Sequence, residues 1–132
     1  MTRLLAIDHV QLAIPVGAEA AARPFYRDLL GLTEVEKPEP GRSRGGAWYE
    51  AETVKVHLGV EADFRANRKA HPAFVVGDLA DLSRRAVAAG YEVKPDDELE
   101  GVERAFIYDP FGNRLEFIQA ANSQAPSTKD AK

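Results

Sequence analysis

Cysteine is absent from the chain. Its absence excludes disulfides and thiolate metal sites, and leaves His, Asp, Glu or water as ligands for any metal. That fits a reducing compartment. Also missing is any apolar run approaching the ~18 residues of a membrane span, and no apolar leader-like segment precedes the first strand-like run. The expectation is a soluble, cytoplasmic protein with no membrane partner. Nor is there a basic excess, because 17 Lys and Arg stand against 21 Asp and Glu for a formal charge of −4. A pI near 5.4 offers no basic face to a phosphate backbone, so nucleic acid is not an expected partner. What is present is a chain of 132 residues, the length of one domain that buries a core without covalent staples.

The stretch FIYDPFGNRLEFIQ, from Phe106 to Gln119, organises the rest. Its two apolar runs, Phe106-Ile107-Tyr108 and Leu115 to Ile118, flank Asp109-Pro110-Phe111-Gly112-Asn113. Pro fixes one turn dihedral there and Gly or Asn accepts positive φ, which predicts a β-hairpin. Side chains alternate along a strand, so Leu115 and Phe117 share one face while Arg114, Glu116 and Ile118 share the other. A mid-strand carboxylate at Glu116 stands either in solvent or in a polar cavity.

Upstream, Leu4 to Ile14 alternates around His9 and reads as a first strand. Ala18 to Leu30 carries apolar residues at helical spacing and ends at Gly31, with Pro24 inside it as a late start or a kink. Leu32 to Val35 reads as a short strand, Lys37 to Gly46 as a turn-rich loop, and Ala47 to Glu52 and Val54 to Val60 as two more strands. After a polar connector, Glu61 to Ala70, the pattern begins again. His71 to Val76 is a strand, Leu79 to Ala89 a helix, Tyr91 to Lys94 a strand and Pro95 to Gly101 an acidic loop, before the final hairpin. The predicted fold is α+β: two β-α-β-β-β modules, about 4–60 and 71–119, forming a cup-shaped mixed β-sheet with helices outside. Together they make a single domain over 1–120, and 121–132 is expected to be a disordered tail.

The repeat can be tested by spacing. His9 and His71 lie 62 positions apart, each at the start of a module, and the following helix ends 22 residues after His9 but 19 after His71. Carrying that three-residue deficit back from Glu116 predicts a counterpart at position 57, which is a histidine. His9, His57, His71 and Glu116 thus fall at mirrored positions, and they include all three histidines of the chain. Neutral imidazoles with a carboxylate suit a divalent transition metal such as Zn, Ni, Mn or Fe(II). Taken singly, a strand histidine is more often a satisfied or half-exposed residue than a ligand. Trp48, Glu50, Phe106 and Tyr108 are candidates to line a substrate pocket, although strand aromatics usually pack and Glu50 reads most simply as solvated surface. Glu61 and the Asp96-Asp97-Glu98 run read as solvated surface too, and Arg42, Arg44, Arg65, Arg68 and Arg104 mostly as loop charges.

The motifs IDHVQLAI, FYRDLLGL, VHLGVE, AHPAFVV and YDPFGNRLEF, spread from about Leu4 to Gln119, resemble the vicinal-oxygen-chelate superfamily of glyoxalases, bleomycin-resistance proteins and extradiol dioxygenases. The resemblance matches that family's ligand positions to His9, His57, His71 and Glu116. It implies a divalent metal that holds adjacent oxygens of a small-molecule substrate, Glu116 as the catalytic carboxylate, and a homodimer. It departs from glyoxalase I at His57, where those enzymes usually carry a second glutamate. The activity it implies is that of a metal-dependent lyase or isomerase. The alternatives are an Fe(II)-dependent extradiol-type dioxygenase, whose full-length bacterial forms commonly use two such module pairs, or a non-catalytic binder of small molecules or antibiotics.

Overall fold

The computed structural model describes residues 2–97 and 101–121; the expected tail beyond 121 and the centre of the acidic loop lie outside the described residues. The chain divides into two compact units, Met1–Ala66 and Asn67–Lys132, each built on the predicted β-α-β-β-β order.

In the first unit the strands are β1 (Val10–Ile14), β2 (Thr33–Val35), β3 (Ala47–Ala51) and β4 (Val54–Val60), arranged in the order β1-β4-β3-β2. β1 runs parallel to β4 and the other pairs are antiparallel. The strand expected from Leu4 begins only at Val10. β4 supplies ladder partners to residues 10–14 alone, and without a partner the alternating residues before them form no strand, leaving Leu4, Leu5 and Ile7 exposed. The expected helix is α1 (Glu19–Arg23) followed by a π-helical segment, Pro24–Leu29. Pro24 has no N–H to donate to the preceding turn, and beyond it the ladder widens, with Leu30 N–H donating to Phe25 O at 3.0 Å. This segment lays Phe25, Tyr26 and Leu29 onto the sheet side occupied by Ile14, Tyr49, Val56 and Leu58, all buried. Each such side chain contributes roughly 1.5–3 kcal/mol by leaving water.

The second unit repeats the plan with β5 (Ala73–Val76), α2 (Leu79–Ala88), β6 (Val93–Asp96), β7 (Arg104–Tyr108) and β8 (Arg114–Gln119), in the order β5-β8-β7-β6. β6 starts two residues later than its apolar pattern suggests and takes in Asp96, which pairs with Arg104 across the ladder. Asp78 caps α2 by accepting from Asp81 N–H at 3.0 Å, a contact worth about 1 kcal/mol. Leu79, Leu82 and Ala86 are the buried stripe of this helix. The predicted hairpin is present. At its turn, Asp109 Oδ1 accepts from Phe111 N–H and Asn113 N–H, both at 2.9 Å, so the buried aspartate replaces the backbone partners that the reversal removes. Among the described residues no helix is long and apolar enough to cross a membrane.

Candidate functional site

The ladders test the spacing argument directly. In the first unit the parallel partner of Gln11, two residues after His9, is His57; in the second, the partner of Ala73, two residues after His71, is Glu116. On the antiparallel side His57 faces Trp48 and Glu116 faces Phe106. His57 and Glu116 therefore occupy equivalent places in their own sheets, with an aromatic residue beside each.

In the first unit His57 lies between two rings. His9 stacks on one side and Trp48 on the other, each with its centroid 4.0 Å away. Only 7% of His57 is exposed. Burial pushes its imidazole below the ordinary histidine range, and the neighbouring His9 acts in the same direction. His9 Nδ1 donates to Asp8 Oδ2 at 2.9 Å. That hydrogen bond, with Lys55 nearby, holds the Asp8 carboxyl below its usual range. With Nδ1 so engaged, Nε2 of neutral His9 is the nitrogen with the free lone pair. A cavity of about 670 Å³ opens on this face, and its lining includes His9, Trp48, Glu50 and His57.

The second unit solves the same position with charge. His71 Nε2 and Glu116 Oε1 stand 2.9 Å apart, and Arg104 Nη1 donates to Glu116 Oε2 at 3.1 Å. Arg104 Nη2 reaches Asp96 Oδ2 at 2.9 Å. A guanidinium fork thus bridges two carboxylates whose side chains keep 10% and 13% exposure. Arg104 and Asp96, expected as surface charges, are instead semi-buried partners of Glu116. Strand alternation carried the missed signal, since Arg104 lies two residues before Phe106 and so faces the same way. Tyr108 sits at the turn end of this face, its hydroxyl accepting from Arg114 Nε at 3.1 Å and its ring covered by Arg68. Phe106 packs edge-on to His71.

The donor chemistry fits a divalent ion. His71 Nδ1 donates to the Lys69 carbonyl at 2.8 Å, so Nε2 is the nitrogen with the free lone pair when the ring is neutral. The contact between Nε2 and Glu116 Oε1 then requires one proton between two acceptors, a place that a cation can take. Two ligands about 2.1 Å from one ion and at right angles stand about 3 Å apart, close to the 2.9 Å between Nε2 and Oε1. His9 and His71 also both anchor Nδ1 on an oxygen, the arrangement that orients metal-binding imidazoles. Among the described residues no group of three or more His, Cys, Asp or Glu side chains converges as a ready metal cage.

Comparisons with known proteins agree with the repeated-module fold. A glyoxalase family protein of Bacillus anthracis is 40% identical, with 90% of this chain and 98% of that one covered and a TM-score of 0.85. A lactoylglutathione lyase of Agrobacterium tumefaciens, 24% identical, covers 90% of this chain and 96% of its own at a TM-score of 0.65. A fosfomycin resistance protein of Listeria monocytogenes, 13% identical, covers 92% and 98% at a TM-score of 0.71. At those lower identities the likeness is one of fold. No curated protein matched the chain. Residues 6–117 match the family model of the Glyoxalase/Bleomycin resistance protein/Dioxygenase superfamily, and with the repeated modules and the 40% identical structure this establishes that the chain belongs to that superfamily.

Proposed function

We propose that the chain is a metal-dependent enzyme of the lyase or isomerase kind, acting on a small substrate held through adjacent oxygens. Glu116 and His71 would contribute ligands to one divalent ion, Zn, Ni, Mn or Fe(II), and His9 and His57 of the first unit are the chain's other imidazole donors. Bound there, the ion supplies Lewis-acid polarisation of a carbonyl or hydroxyl pair. The observation that carries the reading is the 2.9 Å contact between His71 Nε2 and Glu116 Oε1, the spacing of two ligands of one ion.

The chain's own residues divide the remaining work. Arg104 engages Oε2 of Glu116, so Oε1 is the oxygen left to face the ion, and it exchanges a proton only when the ion releases it. Lys69 O keeps the His71 ring oriented. In the first unit Trp48 and Glu50 line the cavity beside His57. A homodimer belongs to the same reading. Leu4, Leu5 and Ile7 are 100%, 86% and 82% exposed, and Val75 on β5 is 70% exposed, apolar surface that a second copy would remove from water.

Metal uptake tests the proposal. Wild type incubated with Zn, Ni, Mn or Fe(II) retains about one ion per chain, Glu116→Gln loses it, and the loaded protein turns over members of a dicarbonyl panel without oxygen. Protein that stays metal-free under all four ions sinks the reading in favour of a non-catalytic binder. Turnover that consumes oxygen moves it to the Fe(II) dioxygenases. Sedimentation showing a monomer at every concentration removes the dimer.

A further inference from the structure

Residues 37–41, 44 and 45 of the β2–β3 loop line the first unit's cavity together with His57 and Trp48. The lining carries three carboxylates, Asp8, Glu39 and Glu50, and three cations, Lys37, Arg44 and Lys55, but they are not paired one to one. Asp8 is engaged by His9 and Lys55, Glu39 by Arg42, and Glu50 stands opposite Lys55 in the β3–β4 ladder. Among the described residues, Lys37 and Arg44 form no ion pair with a carboxylate. Lys37 Nζ donates instead to the Gly45 carbonyl.

The loop is also fastened at its end, next to β3. Gly46 N–H donates to Glu19 Oε2 at 2.7 Å, which leaves that carboxylate oxygen occupied outside the cavity. Gly46 has φ +89°, and a Cβ there would stand 2.2 Å from the Leu58 carbonyl oxygen. Only glycine permits this approach. The result is a cavity lined both by two cations of a pinned loop and by the stacked rings of His9, His57 and Trp48.

We propose that this cavity binds a small anion through a carboxylate or phosphate-type group, with Lys37 and Arg44 as its charge partners. The anion site itself needs no metal and stands independently of the preceding reading.

The test uses the full chain, stripped with chelator and dialysed. Malonate, inorganic phosphate and uncharged dimethyl malonate are titrated by calorimetry and by the emission of Trp48, the only tryptophan of the chain. At least one of the two anions binds saturably, and which one identifies the preferred group; the ester does not bind. Arg44→Gln weakens the binding about tenfold or more, as expected for a lost charge-assisted hydrogen bond, and Arg44→Lys recovers part of it. Arg84→Gln, on α2 and outside the cavity lining, changes nothing. Absence of saturable binding for both anions, equal binding of the ester, or wild-type affinity in both Arg44→Gln and Lys37→Gln overturns the proposal. Metal uptake is measured separately on the same samples. Anion binding lost with metal uptake intact refutes this inference alone, and the converse refutes the metal reading alone.

Discussion

The two modules repeat one backbone plan and stabilise the same position by different physics. In the first, His57 is flanked by the His9 and Trp48 rings. In the second, Glu116 is flanked by an imidazole and a guanidinium. Two residues before Trp48 stands Gly46, and two before Phe106 stands Arg104. Where the second module sends a cation across to its carboxylate, the first has no side chain at all, and its loop backbone closes on Leu58 beside an open cavity. A neutral imidazole tolerates burial under rings, whereas a buried carboxylate requires hydrogen-bonding cations. The residue at the repeated position thus dictates what its neighbours must supply.

The largest effect should come from filling the first module's gap. Gly46→Ala combines a positive φ with a collision against Leu58 O, and is expected to cost on the order of 3 kcal/mol. Urea unfolding measures it, and a loss below half of that would mean the loop shifts freely. Next comes Arg104→Gln, which leaves Asp96 and Glu116 without their shared cation. Breaking a buried pair costs about 3–5 kcal/mol. Because these side chains retain 10–18% exposure, about 2 kcal/mol is expected, together with roughly 10–100-fold weaker metal binding, since the oxygen facing His71 is no longer oriented. A double-mutant cycle with Glu116→Gln should show strong coupling; additivity would mean that the ion pair does not orient the carboxylate.

A smaller effect concerns pH, and it distinguishes the modules by sign of charge. His57 titrates lower in the fold than its ordinary value of 6.5, so between the folded value and 6.5 the unfolded chain holds more protons. Stability of the metal-free protein should therefore rise with pH through that window and level off above it. As pH falls, the loss is complete once the folded His57 is also protonated. Denaturant midpoints between pH 5 and 7.5 should flatten in His57→Gln, and an unchanged slope in that variant would assign the acid sensitivity elsewhere.

Much of this site was legible before any coordinates. The module repeat, the hairpin and the equivalence of His57 with Glu116 follow from apolar alternation and from counting, and the ladders reproduce the three-residue offset between the modules. The late start of β1 was not legible, because an alternating sequence forms a strand only where a partner strand is present. Arg104 and Asp96 read from the sequence as surface charges because their ion pair spans the β6–β7 ladder, and the register across a loop is not written in either segment. The depth of the cavity depends on how residues 37–46 settle on β4, which no local periodicity records.

By itself, then, the sequence determined which residue types recur at mirrored positions and which face of each strand they take. Alternation and spacing are properties of the local chain, and they hold before any contact forms. Tertiary structure alone decided that Arg104 orients Glu116, that Trp48 and His9 enclose His57, and that Gly46 lets a cationic loop close beside them. Those outcomes depend on cross-strand register and on close backbone approach between residues distant in sequence.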